Sequence, residues 1–466
     1  MRHSEEVKEW VPAIDRHAGP IYQAIVEALE HDIATGRLKP NDKLPSHRIL
    51  GEALGVDFTT VTRAYTEARR KGLVEGRAGQ GTFVTNVPLQ GVELPSDTVD
   101  MAMNLPPRFG NPKLVQAMWQ DVLAMRNSGR LDILLDYHVP GGTRQDRETA
   151  ARWLAERLPG INAAQVLLTA GSQGALFALF GSLLEPGGTI LAADLSYPGM
   201  ISVARQLRLN CVGLPMDSRG VIPEALDAAC RAHPAAVLYC NPTLHNPTTI
   251  TTPHERRLDI IEVTRQHGVQ IVEDDAYGAL LLDAPAPLRT LAPELVHYIA
   301  GLSKCLSPAL RLAYVALPET AGPAVRDVSA AIRATSSGVS SLTASLAASW
   351  INRGIALEVR DAIRSEAHAR HELGRKILPA QFDTHPPDAF HVWLPLPDGY
   401  RRSEFAARLH SVGVGVVQSD AFSLGDAPEA VRLSLGAATT RPQLEHALLQ
   451  IRSALNDEAA SEVFVV

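Results

Sequence analysis

Beyond Met101 the chain is marked by short runs that are apolar at nearly every position: Val166-Leu-Leu, Ile190-Leu-Ala-Ala, Val237-Leu-Tyr-Cys, Val269-Gln-Ile-Val and Val296-His-Tyr-Ile-Ala. Helix-length stretches separate them. A strand with water on one side alternates apolar and polar residues, whereas a run without alternation needs cover on both faces, as in a parallel sheet between layers of helices. This pattern predicts an α/β class. It also says where chemistry should sit, because ligands of open α/β sheets bind beyond the carboxyl ends of the strands. Lys304 follows the last of these runs, and Arg311 stands seven residues further on.

Other polar groups collect at the same run ends. Val269-Gln-Ile-Val leads into Glu273-Asp-Asp-Ala-Tyr277, and Val237-Leu-Tyr-Cys leads into a proline-punctuated loop that presents Asn246. Ile190-Leu-Ala-Ala runs on to Tyr197. After Val166-Leu-Leu comes Gly171, and then Ser172 to Gly174 open a helix whose unpaired amides and dipole suit a phosphate. Each has a plainer reading alone: most lysines are solvated, glycine turns before helices are common, a tyrosine before proline usually packs, and acidic strand ends such as Glu273 or Asp275 often only cap a helix. Taken together they form one set. A buried carboxylate can hold a ring nitrogen protonated, an amide and a phenol can donate to a phenolate oxygen, a helix start and a guanidinium can hold a phosphate, and a lysine can close an imine. Pyridoxal 5'-phosphate presents the four complementary groups. The cysteines, Cys211, Cys230, Cys240 and Cys305, have no metal-ligand spacing, so no metal is expected.

In order and spacing these motifs resemble the fold type I aminotransferases over residues 101–466. The resemblance implies a mostly parallel sheet with a smaller α+β subdomain. It implies that Lys304 is the Schiff-base lysine, that Asp274 partners the pyridinium nitrogen, that Asn246 and Tyr277 lie near the phenolate, and that Tyr197 stacks on the ring. Ser172, the neighbouring Gln173 and Gly174 amides, and Arg311 are implied to hold the phosphate, with Ser303 also at the cofactor. Tyr137, in Tyr-His-Val-Pro-Gly-Gly142, matches a tyrosine that reaches the partner subunit's phosphate, which implies a homodimer. Arg432, in Val-Arg-Leu-Ser-Leu-Gly436, matches an arginine that grips a carboxylate with a bidentate fork; the alternative is a surface salt bridge. The chain departs from the pattern at Gly301, where a serine is usual, and at Thr249 and Ala313, where glycines are.

The amino-terminal stretch obeys a different period. Ile21, Ile25, Leu29 and Ile33 recur every four positions and predict a helix ending near Gly36. Ser46 is placed to cap a second helix, Gly55 to stop it, and Asp57 to cap a third with Val61, Ala64, Tyr65 and Ala68 inward. Two short helices across a glycine turn make a helix-turn-helix, and the β-prone runs around the glycine-rich tip of residues 72–84 make a wing. The Leu-Pro-Ser entry, the Thr-Val pair and Gly79-Gln-Gly-Thr-Phe-Val84 resemble the winged helix of the GntR family, over residues 17–85. The resemblance implies contacts to double-stranded DNA from Ser46, Arg48, Thr59, Thr60, Thr62 and Arg63, and from the wing at Arg77, Gly79 and Gly81.

Charge adds little to that expectation. The net charge of -7 excludes a chain that is basic throughout, and between Pro20 and Thr85 nine Lys and Arg face eight Asp and Glu. Any positive face must come from arrangement. Asp57 and Phe58 stand where the family has Ser-Arg, which removes a cation, and His47 also departs from the pattern. A winged helix can also serve as a protein-docking module.

Residues 86–100, with two prolines and no helical period, read as a linker. A GntR-type winged helix ahead of a whole aminotransferase-like domain is the arrangement of the MocR family of transcription regulators. The resemblance implies that an amino acid or amine displaces Lys304 from the cofactor as an external aldimine, with its acid group on Arg432, and so alters binding at a promoter operator. Two other functions fit the same residues: an active aminotransferase with an accessory winged helix, and a DNA-binding protein whose large domain is a cofactor-free dimerisation scaffold. A charged amino terminus and the lack of any apolar run of about 18 residues predict a cytoplasmic protein with no membrane partner. The effector's identity, the target genes and the sign of regulation are not written in these motifs.

Overall fold

The computed structural model describes residues 10–12, 14, 20–34, 37–38, 42–70, 73–77, 81–84, 98–129, 132–319, 322–383 and 385–461. It forms two compact units, residues 1–96 and 97–466.

The first unit contains α1 (Ile21–Ala34), α2 (His47–Leu54), α3 (Phe58–Arg70), β1 (Val74–Arg77) and β2 (Gly81–Val84). The helix limits have local causes. Ser46 accepts a hydrogen bond from the Ile49 amide (3.3 Å) at the start of α2, where amides otherwise lack partners. Gly55 ends that helix at φ 60°, a conformation that costs a residue with a Cβ roughly 1–2 kcal/mol. Asp57 takes the Thr59 amide (2.8 Å) at the start of α3. Val61, Ala64, Tyr65 and Ala68 are then buried against Ile25, Leu29 and Leu50. β1 and β2 pair antiparallel with Val74 opposite Val84, and the Leu44 amide donates to the Thr82 carbonyl (2.9 Å), seating the hairpin on the entry to α2. The wing contacts expected at Gly79 and from the Arg77 side chain lie outside the described residues.

The second unit opens with a correction. Val99 and Asp100, assigned above to the linker, form β3 (Val99–Asp100), parallel to Val414–Gly415. Burial decides it: Val99 packs with Met101 and Val414 in an apolar cluster, so the linker ends before them. The helix α4 (Pro112–Asn127) follows.

The central sheet comprises β4 (Val166–Thr169), β5 (Thr189–Ala193), β6 (Asn210–Leu214), β7 (Val237–Cys240), β8 (Gln270–Asp274), β9 (Val296–Gly301) and β10 (Ala313–Ala316). Their order across the sheet is β4-β10-β9-β8-β7-β5-β6. Strands β9, β8, β7, β5 and β6 run parallel, and β10 runs antiparallel to both its neighbours. The apolar runs are buried on both faces, as their lack of alternation predicts: Tyr298 and Ala300 enter one cluster and Ile299 the other. Two helices matter for the site, α5 (Gly171–Leu183) after β4 and α6 (Pro198–Gln206) after β5. A smaller antiparallel sheet of β11 (His391–Pro395), β12 (Val417–Gln418) and β13 (Ala430–Ser434) supplies the opposing wall. Among the described residues no helix is long and apolar enough to cross a membrane.

Candidate functional site

The carboxyl ends of β7, β8 and β9 open into a cavity of about 370 Å³ whose walls include Asn246, Asp274, Tyr277, Ser303 and Lys304. Ser172 and Gln173 at the start of α5, Tyr197 before α6, Arg311 and Arg432 complete it. One expected residue lies elsewhere: Gly174 lines a neighbouring groove with Phe177 and Val203. Tyr137, expected at a partner subunit's phosphate rather than in this cavity, is 91% exposed.

Asp274 ends β8 and Lys304 lies in the turn after the adjacent parallel strand β9, with Asp274 opposite Ile299 in the ladder. The Tyr239 hydroxyl donates to Oδ2 of Asp274 (3.1 Å), while Oδ1 is buried with no partner among the described residues. Burial pushes this carboxyl up to about 7, helped by Asp275 and opposed by the Tyr239 hydrogen bond and Lys304. The Lys304 amine donates to the Asn104 carbonyl. Burial lowers its pKa to about 8, Arg432 and Arg311 repel its charge, and Asp274 opposes the shift. A neutral amine is the nucleophilic form. The rate at which cofactor-free protein captures an aldehyde should therefore rise through about pH 8 rather than near an ordinary lysine's 10.5. Stopped-flow absorption across pH checks this, and Arg432→Met, which removes a repelling charge, should move the midpoint upward.

The remaining groups are fixed by one another. Asn104 donates to the Tyr277 hydroxyl (2.8 Å), and Arg432 donates through Nη1 to Oδ1 of Asn246 (3.0 Å) and through Nη2 to the Ala102 carbonyl. Arg432 is 5% exposed and Nε has no partner among the described residues, which answers the alternative of a surface salt bridge. The Asn246 amide donates to Asn241 (2.8 Å), whose own side chain holds the Asp274 carbonyl (2.6 Å). Asn104, Tyr239 and Asn241 were not anticipated. Tyr239 had a signal, as the one hydroxyl in an apolar run that ends at the site; Asn104 lies in a loop without motif. The carboxylates beside Asp274 part ways. Glu273 accepts from the Leu288 and Arg289 amides (2.9 Å each) and so caps a short helix, whereas Asp275 takes Tyr298 (2.7 Å) and Arg157 (3.1 Å).

Gly301, the most evident departure from the aminotransferase pattern, has a steric cause. A Cβ there would lie 2.4 Å from the Ser172 hydroxyl, so the space of the usual serine is already filled from α5. Gly171, at φ +77°, likewise brings the start of α5 against Arg311, whose guanidinium would lie 3.4 Å from a Cβ built there. Gly301→Ala should turn the Ser172 hydroxyl away and weaken cofactor binding by one charge-assisted hydrogen bond, about 1.5–3 kcal/mol, while Gly301→Ser, which brings its own hydroxyl, loses less. Equilibrium titration of the two variants with cofactor checks the order.

These residues fit pyridoxal 5'-phosphate. The unpartnered oxygen of Asp274 lacks just what a pyridinium N-H provides, and a helix start with Ser172 and Arg311 makes an anion cradle. Asn246 and Tyr277 line the same cavity.

In the first unit many of the expected DNA contacts are already engaged. The Ser46 oxygen is used as a cap, the Thr59 hydroxyl donates to Asp57, and the Thr62 hydroxyl donates to the Phe58 carbonyl (3.0 Å). Arg48 pairs with Glu52 (3.3 Å), and Arg63 lies 4.0 Å over the Tyr22 ring. Thr60 is half-buried, and Gly81 is exposed at φ 118°.

Residues 96–451 match the family described as aminotransferase class I and II, and residues 21–84 match bacterial regulatory proteins, gntR family. The HTH-type transcriptional regulator YdeF of Bacillus subtilis is 30% identical over 96% of this chain and 97% of its own length. The chain belongs to the MocR family. Another relative, the HTH-type transcriptional regulator TauR of Rhodobacter capsulatus, is 26% identical over 85% of this chain and 88% of that protein. Among solved structures, the α-aminoadipate aminotransferase LysN of Thermus thermophilus, complexed with a phosphopyridoxyl-leucine, superposes with a TM-score of 0.69 at 25% identity, over 78% of this chain and 94% of that one. As in other MocR proteins, a GntR-type winged helix precedes an aminotransferase-like domain, which makes this chain a transcription regulator.

Proposed function

We propose that this MocR regulator holds pyridoxal 5'-phosphate on Lys304, senses an amino acid or amine there, and changes its hold on a promoter operator in response. The observation that carries this reading is that Lys304 and Arg432 open into one cavity beside the unpartnered oxygen of Asp274, in a chain whose other unit is a winged helix. When bound, the cofactor supplies an aldehyde carbon that can pass from the lysine amine to an incoming one. Asp274 keeps a proton at the ring nitrogen. Asn246 orients Arg432, and the free Nε of Arg432 is available to the acid group of an effector, a carboxylate or sulfonate. The effector shifts DNA binding by its differential affinity for two states of the protein.

A homodimer fits the same reading. Val115, Trp119 and Leu123 recur every four residues on α4 and are exposed, with Leu135 and Tyr137 following them. An exposed apolar stripe of this kind favours burial against another chain.

The test adds a panel of amino compounds to the cofactor-loaded protein and follows its visible absorption, then measures binding to DNA upstream of its own gene. An effector should change both, and Arg432→Met should weaken acidic effectors about tenfold or more, the loss of a charge-assisted pair, while leaving the cofactor's absorption in place. Steady interconversion of an amino acid and a keto acid, with no DNA binding, would sink the reading in favour of a metabolic aminotransferase.

A further inference from the structure

The start of α3, the end of a recognition helix that enters the major groove, carries an exposed aromatic side chain in this protein. Phe58 is its first residue and is 54% exposed, and Ile49 in the first turn of α2 is 43% exposed. The His47 ring stands 5.9 Å from Phe58 and 4.9 Å from Tyr65, and partial burial, then Arg69, lowers its pKa. The neighbouring polar groups are turned to other tasks. The Asp57 carboxylate holds the amide and hydroxyl of Thr59, the Thr62 hydroxyl is on the Phe58 carbonyl, Arg63 is over Tyr22 and Arg48 is paired with Glu52.

A guanine edge brought here would lose water and find Arg48 and Arg63 already engaged. The one apolar group that base edges show in the major groove is the 5-methyl of thymine. We propose that Phe58 packs on the 5-methyl group of a thymine, so that the protein selects an A·T pair where the start of α3 meets the duplex. This rests on the DNA-binding reading above and specifies what that site recognises.

The full-length, cofactor-loaded protein is used to enrich duplexes from a random-sequence pool, and the enriched duplex is remade with deoxyuridine replacing each thymine in turn. One thymine should lose about fourfold in affinity with its methyl, as for one buried methyl-sized group. Phe58→Ala should lose the same on the thymine duplex and nothing further on the deoxyuridine duplex, with the dependence on salt unchanged because phosphate contacts are untouched. Phe58→Leu, still apolar, keeps the thymine preference and guards against a folding defect in the alanine variant, while Phe58→Arg moves the preference toward guanine.

Affinity indifferent to every thymine methyl, or an alanine variant equally weakened on both duplexes, overturns the proposal and leaves DNA binding standing. A change of oligomeric state in Phe58→Ala without a change in base preference also overturns it, assigning Phe58 to a protein contact. If no duplex is enriched at all, the DNA-binding reading itself fails, and the proposal with it.

Discussion

Lys304→Ala is expected to abolish the visible absorption of the cofactor-loaded protein and, with it, every response to an amino compound. No neighbour can substitute. The other cations of the cavity, Arg311 and Arg432, are guanidiniums that stay protonated and do not form imines. The change also removes the donor to the Asn104 carbonyl, but the loop around Asn104 keeps its bond to Tyr277, so the fold should hold. Absorption spectroscopy and DNA binding, each with and without effector, check the prediction. A variant that still responded to the effector would show that Lys304 is not the sensing group.

Asp274→Asn should have the second largest effect, and in two opposite directions. Cofactor affinity is expected to fall about 10- to 150-fold, the loss of a charge-assisted hydrogen bond worth about 1.5–3 kcal/mol. Stability of the cofactor-free protein is expected to rise above neutral pH. Because burial raises the Asp274 pKa to about 7 in the folded chain, the folded state holds more protons than the unfolded one between about pH 4 and 7, and stability falls as pH rises across that window. An asparagine has no proton to lose. Thermal unfolding from pH 4 to 8 should therefore show the variant gaining stability relative to the parent as pH rises, on top of the changes both share from Glu273 and the buried His245, His297 and His391. A parallel decline in both would place the titrating group elsewhere.

How much of this was legible in the sequence depended on whether a residue's role was local. Lys304, Asp274 and Asn246 follow strands recognisable by their apolar runs, and the caps Ser46, Gly55 and Asp57 act within a few residues, so linear reading found them. Asn104 and Tyr239 owe their places to contacts with residues far along the chain. The fit of Ser172 into the space above Gly301 is likewise a distance between two strand ends, and what read as a missing hydroxyl is one supplied from a different element. The reversed direction of β10 was equally silent, because Ala313–Ala316 is as apolar as its parallel neighbours. Its orientation follows from the connection, which from β9 is a loop over residues 302–312 with one 3-10 turn rather than a crossover α-helix. The end of the linker at β3 was hidden because its partner strand lies hundreds of residues away.

The unsatisfied oxygen of Asp274 has a further consequence for the cell. If pyridoxal 5'-phosphate completes this oxygen as proposed, the lifetime of the chain is tied to the supply of that molecule. At a hundredfold excess over its dissociation constant, such a ligand adds about 2.7 kcal/mol to the folded state, enough to change the fraction of chains exposed to proteolysis severalfold. Vitamin scarcity would then act on this regulator before any effector does, by thinning its population.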